Sequence, residues 1–410
     1  METQHLVLLM GTNPLPNYVA ARYFLQHNSE PPTIWVVCSK ETRESAERLD
    51  ELLDVENYEY CDLTDPGDAA AIRQNVNDQI LSNINSGDSV HLNYTGGTKS
   101  MVVQTFAAIT KKIPGEKLSF SYLDADKYRL RFDDGDITSD LRKEISIGFD
   151  QLLRLHDCQK KSVGSEVDWS AANEIISSII REKKLPDFMD WIYTVIHPNF
   201  YHKDKFKKPD KKFYKDWIRY NNQGNTIPCH REVESLLNQF PEKQRWNFDN
   251  QDALIVPDST KHFFKGIRYL HGLWLEYYIN NLLKTQIEKE KSDLKLFYDW
   301  HILKGAAEKD FQIDTMLLYG YQLCAISITT SNDEKLCKSK AFEILHRSRQ
   351  MGGDEARAVL INTLQNDKVE LMQDDLDLDV GSSDQLLILG LDDLQNNRVG
   401  RRIFEHVIGA

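Results

Sequence analysis

The chain has 410 residues, 41% hydrophobic and 28% charged, with a net charge of −13; that length supports two or three domains, each with its own core. The acidic balance argues against a protein permanently coated in nucleic acid, because phosphate binding needs local positive charge; a local or gated site stays open. No apolar run approaches the roughly eighteen residues of a membrane span. Cys38, Cys61, Cys158, Cys229, Cys324 and Cys337 form no CxxC pair, so the expectation is a soluble protein of a reducing cytoplasm, with no membrane role, zinc site or disulfide framework.

From Met1 to about Phe132, β-rich runs ("LVLLM", "TIWVVCS", "YEYCDL", "SVHLNY", "LSFSYLD") alternate with helical patterns such as "YVAARYFLQ", "ESAERLDELL" and "MVVQTFAAIT". The alternation predicts βαβ units and a Rossmann-like parallel sheet covered on both faces. "FSYLDADKYRLRF" reads as a hairpin turning at Ala125-Asp126, an antiparallel pair at the sheet's edge. From "DDGDIT" to "RLHDCQKKSVGSE" the chain is polar and reads as a link between domains. "DWSAANEIISSIIREKKLPDFMDWIYTVI" and "HREVESLLNQF" then predict a mainly helical middle segment.

From about Phe263 one long helix, "FKGIRYLHGLWLEYYINNLLKTQ", precedes the strands "LKLFYDWHI", "DFQIDTMLLYG" and "QLCAISITT". A second helix, "KSKAFEILHRSRQMGG", precedes "ARAVLIN" and "QLLILGL", with Gly352-Gly353 ending it. The order αβββαβ differs from the N-terminal alternation, so a separate α/β domain is expected. The expected division is 1–138, 139–262 and 263–410. "DDLDLDV" at 374–380 lacks EF-hand spacing and reads as an exposed loop.

Between a strand and a helix lies "NYTGGTKSM". Gly96-Gly97 lets backbone N–H groups converge, and the helix from Thr98 turns its positive end toward the same place, which suits an anion. A Walker motif would need glycines where Asn93 and Thr98 stand, so nucleotide hydrolysis by a P-loop is not supported. A plain tight turn, with Thr98 as N-cap and Lys99 in water, competes with the anion reading. Two further small-polar turns, "GTNPLPN" and "CSKET", close the first two strands on the same sheet edge, where doubly wound sheets place ligands.

The pair "GTNPLPN" and "NYTGGTKSM" resembles the CARF domain of CRISPR-associated effectors, particularly the Can/Card type of type III ancillary nuclease with a C-terminal PD-(D/E)xK (restriction-endonuclease-like) domain. The resemblance implies a homodimer whose CARF domains share one cyclic oligoadenylate, cyclic tetra-adenylate foremost, at the two-fold axis. It implies ligand positions at Gly11, Thr12 and Asn13 and at Thr95, Gly96, Gly97, Thr98 and Lys99. A symmetric ring of phosphates suits a site made twice from the same turns.

A PD-(D/E)xK nuclease needs carboxylates converging on a divalent cation, Mn2+ or Mg2+, and a lysine to position water. Glu276 in "GLWLEYYI" and Asp314 in "FQIDTMLL" fit the first two roles and the metal, since a carboxylate among apolar residues is costly unless paired or metal-bound. A salt bridge to a helix neighbour is the plainer account of Glu276. Where an ExK triplet belongs, "ISITTS" offers Ser327 and Thr329, which supply neither the acid nor the positive charge. Lys340, Glu343 and Arg347 share one face of the next helix and are candidates for a displaced lysine and acid; a solvated, salt-bridged face is the alternative.

"YHKDKFKKPDKKFYKDW" at 201–217 interleaves seven lysines with aromatics, as a single-strand binding surface does, and equally reads as a solvated loop. His230 beside Cys229 reads as a structural or surface histidine. Three functions follow as expectations: a cyclic-oligoadenylate-activated, metal-dependent nuclease acting on DNA or RNA; a nuclease-inactive sensor that sequesters the cyclic ligand; or a ring nuclease degrading it in the CARF site.

Overall fold

The computed structural model describes residues 2–85, 87–163, 167–196, 231–248, 254–255, 259–306, 310–380 and 384–409. The lysine-rich run 201–217 and the Cys229-His230 pair lie outside them.

The N-terminal strands are β1 (His5–Leu9), β2 (Thr33–Cys38), β3 (Tyr58–Asp62), β4 (Val90–Asn93), β5 (Leu118–Asp124) and β6 (Arg129–Phe132). They form one six-stranded sheet in the order β3-β2-β1-β4-β5-β6. All neighbours are parallel except β6, which pairs antiparallel with β5 as Leu123↔Leu130 and Asp124↔Arg129. The near-continuous apolar runs of β1 and β2 follow from burial on both faces, which parallel strands between helices require. Helices α1 (Leu15–His27) and α2 (Arg43–Leu53) cover one face; α3 (Ala69–Gln79) and α4 (Lys99–Lys112) cover the other around Val7, Leu92, Ile109 and their neighbours.

Helix α5 (Phe149–Leu155) leads into β7 (Cys158–Val163). The helical segment then follows, with α6 (Ser170–Arg181), α7 (Leu185–Trp191) and α8 (Arg231–Asn238), and a two-stranded ribbon of β8 (Asn247–Phe248) and β9 (Leu254–Ile255). Beyond it come α9 (Thr260–Arg268), α10 (Trp274–Glu290), β10 (Lys295–Lys304), β11 (Phe311–Tyr319), β12 (Gln322–Ile328), α11 (Glu334–Gly352), β13 (Arg357–Ile361), α12 (Asn366–Val380), β14 (Leu386–Leu389), α13 (Leu391–Gln395) and α14 (Val399–Ile408). The second six-stranded sheet has the order β14-β13-β12-β11-β10-β7, antiparallel from β7 to β12 and parallel from there to β14. Two mixed six-stranded sheets, a helical segment and the small β8–β9 ribbon thus make up the described residues.

One hydrophobic core spans both sheets. Leu6, Leu8 and Val19 of the N-terminal unit, Leu152 of α5, and Ile313, Ala325 and Leu345 of the C-terminal unit belong to a single cluster. The opposite face of the C-terminal sheet packs the helical segment with α10 and α14, through Ile176, Trp274, Leu317, Ile326 and Ile403. Polar contacts reinforce the seam: the Arg142 guanidinium pairs with Asp140 at 2.7 Å, stacks on Tyr128 at 3.7 Å and donates to Gln322 Oε1 and the Val407 carbonyl, both at 2.7 Å.

Three local expectations change. The presumed link at 158–163 is β7, an edge strand; its lysines read as loop because they face solvent, and the Lys160 ammonium lies 3.5 Å from the Trp300 ring centre. Residues 374–380 are helical, since Val369, Met372 and Leu376 bury one face of α12 and the acidic residues between them point outward. The long helix before β10 is broken at Gly272, whose extended φ of 177° sits in a π-type turn, Tyr269–Leu273, just before Glu276.

Candidate functional site

The strand order of the first sheet reverses between β1 and β4, so their C-terminal ends open a crevice. Both glycine turns lie there, locked together by close approach. A Cβ on Gly96 would sit 2.2 Å from the Leu9 carbonyl oxygen, and one on Gly11 3.1 Å from the Gly97 nitrogen. Gly97 also has φ +78°, where a side chain is strained. Asn93 Oδ1 accepts from the Thr95 N–H at 3.2 Å and its hydroxyl at 2.8 Å, while Thr95 Oγ1 accepts from the Leu123 N–H at 2.7 Å. The Thr98 hydroxyl caps α4 by accepting from the Met101 N–H at 3.2 Å. The capping expectation therefore holds alongside the anion geometry: it orders the turn, and Lys99 and Thr12 remain exposed at its rim.

Beneath the turn, His91 lies between the Ser119 and Ser121 hydroxyls at 2.6 and 2.7 Å, and burial lowers its pKa to about 3, so it is a neutral, buried strut. Asn13 has a different setting from its neighbours. Its amide donates to Glu355 Oε2 at 2.9 Å, and its oxygen accepts from the Leu15 N–H at 3.2 Å and faces His156 Nε2 at 3.3 Å. Gly353, at φ +72°, ends α11 and lets Asn13 in; a Cβ there would lie 2.4 Å from Asn13 Oδ1. The first glycine turn is thus hydrogen-bonded directly to the C-terminal unit.

The second polar centre lies on the C-terminal sheet. Glu276 projects from the first turn of α10, and Asp314 from β11, both partly buried. Burial, then the charges of Asp314 and Asp299, raise the pKa of Glu276; Arg268 and Lys340 oppose them. Burial also raises Asp314, against the Ile328 N–H that donates to its Oδ2 at 2.7 Å, the Lys340 charge and the Ser327 hydroxyl at 3.4 Å. Carboxylates held together in this way repel each other unless protonated or bridged by a cation. Lys340 lies on α11, which packs on β12 and β13, and its charge favours ionisation of both carboxylates. Glu343 is exposed one turn further along, and the Arg347 guanidinium stacks on Phe311 at 4.2 Å.

Ser327 and Thr329 occupy the expected triplet positions differently. Ser327 contacts Asp314, whereas Thr329 Oγ1 accepts from the Ser331 N–H at 3.2 Å in a local turn. Two participants went unread in the sequence. Asp299 on β10 has φ +53°, a backbone excursion that strand alternation does not signal, and accepts from Gln312 Nε2 at 2.7 Å. Arg268 ends α9, ahead of the break at Gly272, and its charge opposes the rise of Glu276.

The donors are all oxygen, as Mg2+ and Mn2+ prefer. Among the described residues, no group of three or more His, Cys, Asp or Glu side chains is placed to hold a metal. Two carboxylates are enough only for a cation that keeps water, as Mg2+ does.

No protein-family model matches the sequence, and no curated protein matches it. Among solved structures, the fold is similar to protein VC1899 from Vibrio cholerae, at 13% identity and a TM-score of 0.69 over 99% of both chains. It is also similar to Can2 from Sulfobacillus thermosulfidooxidans, solved in complex with cyclic tetra-adenylate, at 14% identity and a TM-score of 0.64 over 96% of this chain and 98% of that one. At such identities the likeness is one of fold, and it extends over both sheets and the helical segment. No helix among the described residues is long and apolar enough to cross a membrane.

Proposed function

We propose that this chain is a CARF-type effector: cyclic oligoadenylate, shared by the glycine turns of two copies, switches on metal-dependent cleavage of DNA or RNA phosphodiesters at Glu276 and Asp314. The observation that carries the reading is the electrostatic coupling of Glu276, Asp314 and Lys340, from three separate elements: burial raises the two carboxylates and the Lys340 charge opposes it. The fold likeness to a structure holding cyclic tetra-adenylate supports the same reading for Gly11, Thr12 and Thr95 to Lys99.

A second copy is the partner that α4 asks for. Val103 and Phe106 are 58% and 40% exposed on the helix that begins at Lys99, with Tyr122 36% exposed nearby. Apolar residues one turn apart beside a ligand turn suit an isologous contact that builds the site twice.

At the acid centre, Glu276 and Asp314 would hold a divalent cation, which supplies charge for the phosphoryl oxygens and lowers the pKa of an attacking water. The Ile328 N–H and Ser327 hydroxyl fix the orientation of Asp314, leaving its other oxygen toward the cation. Lys340 takes the place of the missing triplet lysine, positioning water or a non-bridging oxygen, and Arg268 offers a second positive charge on the exposed side.

One reading competes on a specific observation: Ser327 and Thr329 leave the triplet without acid or lysine, which suits a nuclease-inactive sensor of the cyclic ligand. Incubating purified protein with Mn2+ or Mg2+, labelled single strands and plasmid, with and without cyclic oligoadenylates, separates the two. Ligand-dependent cleavage is expected. No cleavage under any ligand leaves the sensor, and loss of the cyclic ligand itself marks a ring nuclease.

A further inference from the structure

Behind the first glycine turn, on the seam between the two units, is a cavity of about 240 Å³ lined by Thr12, Asn13, Arg48, Lys304, Arg349 and Asp354. Its three cations come from three elements: Arg48 from α2, Lys304 from the end of β10 and Arg349 from the last turns of α11. Their hydrogen bonds go to neutral acceptors. Lys304 Nζ donates to the His156 carbonyl, Arg48 Nε to the Leu155 carbonyl at 3.3 Å, and Arg349 Nε to Gln385 Oε1 at 3.2 Å. Among the described residues, Lys304 and Arg349 have no carboxylate within ion-pair distance, and Arg48 has only the exposed Glu44 at 3.9 Å. Asp354, exposed at the rim, offsets one charge of the three. Such a cavity, walled by the buried Leu155 and His156, concentrates positive potential.

Two further features agree. His156 faces an acceptor from each ring nitrogen, the Leu152 carbonyl at 3.1 Å and Asn13 Oδ1 at 3.3 Å, an arrangement that only its protonated form satisfies. Burial first, and then the Lys304 and Arg48 charges, lower its pKa to about 4. An anion between those cations relieves that opposition. Guanidinium forks and an ammonium from separate directions also match a tetrahedral oxyanion better than a flat carboxylate.

We propose that this cavity binds a phosphate-class anion, orthophosphate, diphosphate or the phosphate of a small nucleotide, and thereby clamps the N-terminal unit to the C-terminal sheet. The cavity, about 240 Å³, has room for orthophosphate or diphosphate with water beside it. The bound anion would tie α2 to two elements that lead to the acid centre, β10 bearing Asp299 and α11 bearing Lys340.

The cavity shares Thr12 and Asn13 with the proposed cyclic-ligand turns but none of its three cations, and the experiment keeps the two apart. Isothermal titration of the full chain with orthophosphate, diphosphate and AMP is expected to give one saturable event per chain. Arg349→Gln and Lys304→Gln should each weaken it about tenfold or more, as loss of a charged hydrogen-bond donor does, while Lys99→Glu leaves it unchanged. Arg48→Gln gives an independent reading if either variant unfolds. AMP binding as well as orthophosphate assigns the site to a nucleotide's phosphate, and exclusion of AMP assigns it to the free anions. Absence of saturable binding, binding indifferent to all three seam substitutions, or binding abolished by Lys99→Glu alone would overturn the proposal.

Discussion

Around Asn93 to Thr98 the side-chain polar groups are matched: Thr95, Thr98 and His91 all have partners between 2.6 and 3.2 Å. Around Asp314 the reverse holds, with Asp314 and Asp299 disfavouring ionisation of Glu276, and Asp299 that of Asp314. The first place is a finished surface, whose remaining capacity is in its rim and the N-terminal end of α4. The second is under electrostatic stress that a cation would remove. A binding turn works by being preorganised; a metal centre works by needing its metal.

The contrast can be tested by substitution. Asp314→Ala is expected to abolish polynucleotide cleavage and leave cyclic-ligand affinity unchanged, read by cleavage and titration side by side; equal damage to both would dissolve the distinction. Lys340→Ala should lower kcat by about a hundredfold, the usual cost of one stabilising donor. An unchanged rate would remove Lys340 from the chemistry and leave Arg268 as the nearest substitute.

The link between the two regions is open to a pH experiment on Glu355, whose carboxyl accepts from Asn13. Burial pushes it up from 4.5 to about 7, against the Asn13 hydrogen bond. The folded chain therefore keeps this proton while the unfolded chain loses it. The resulting contribution to stability is full below about pH 4.5 and lost as pH rises to about 7, a fall of up to about 3 kcal/mol. The buried His156 and His91, lowered to about 4 and about 3, act in the opposite sense as pH falls below the ordinary histidine range. Subtracting urea-unfolding profiles of Glu355→Gln from those of the native chain cancels them. The variant should gain relative stability across that window, and a constant difference would show that Glu355 does not titrate there. Smallest of all, Asp314→Asn in chelator should raise Tm by about 2 °C by easing the carboxylate repulsion; a lower Tm would mean the pair is not under stress.

Legibility in the sequence followed how local each cause is. β1 and β2 announced themselves through unbroken apolar runs, and the hairpin of β5 and β6 through its turn. β7 was hidden because an edge strand bearing lysines has the composition of a loop, and α12 because two of its three buried positions, Val369 and Met372, precede the acidic stretch. The glycine turn was readable from close approach, which Gly96 and Gly97 satisfy at 2.2 and 2.9 Å. Glu276 and Asp314 stood out as carboxylates in apolar runs. Asp299 did not, since its place depends on a left-handed backbone at φ +53°. The contact of Asn13 with Glu355 joins residues 342 positions apart, and no local pattern encodes it.

The central claim is that cyclic-ligand binding at the glycine turns licenses cleavage at Asp314. The most direct measurement is the rate of DNA and RNA cleavage in Mn2+ as cyclic tetra-adenylate is titrated into the native chain and into Lys99→Glu. A rate that saturates near one ligand per two chains, and stays basal in Lys99→Glu, is predicted. Cleavage at the same rate without ligand, or no cleavage at any ligand concentration, would contradict it.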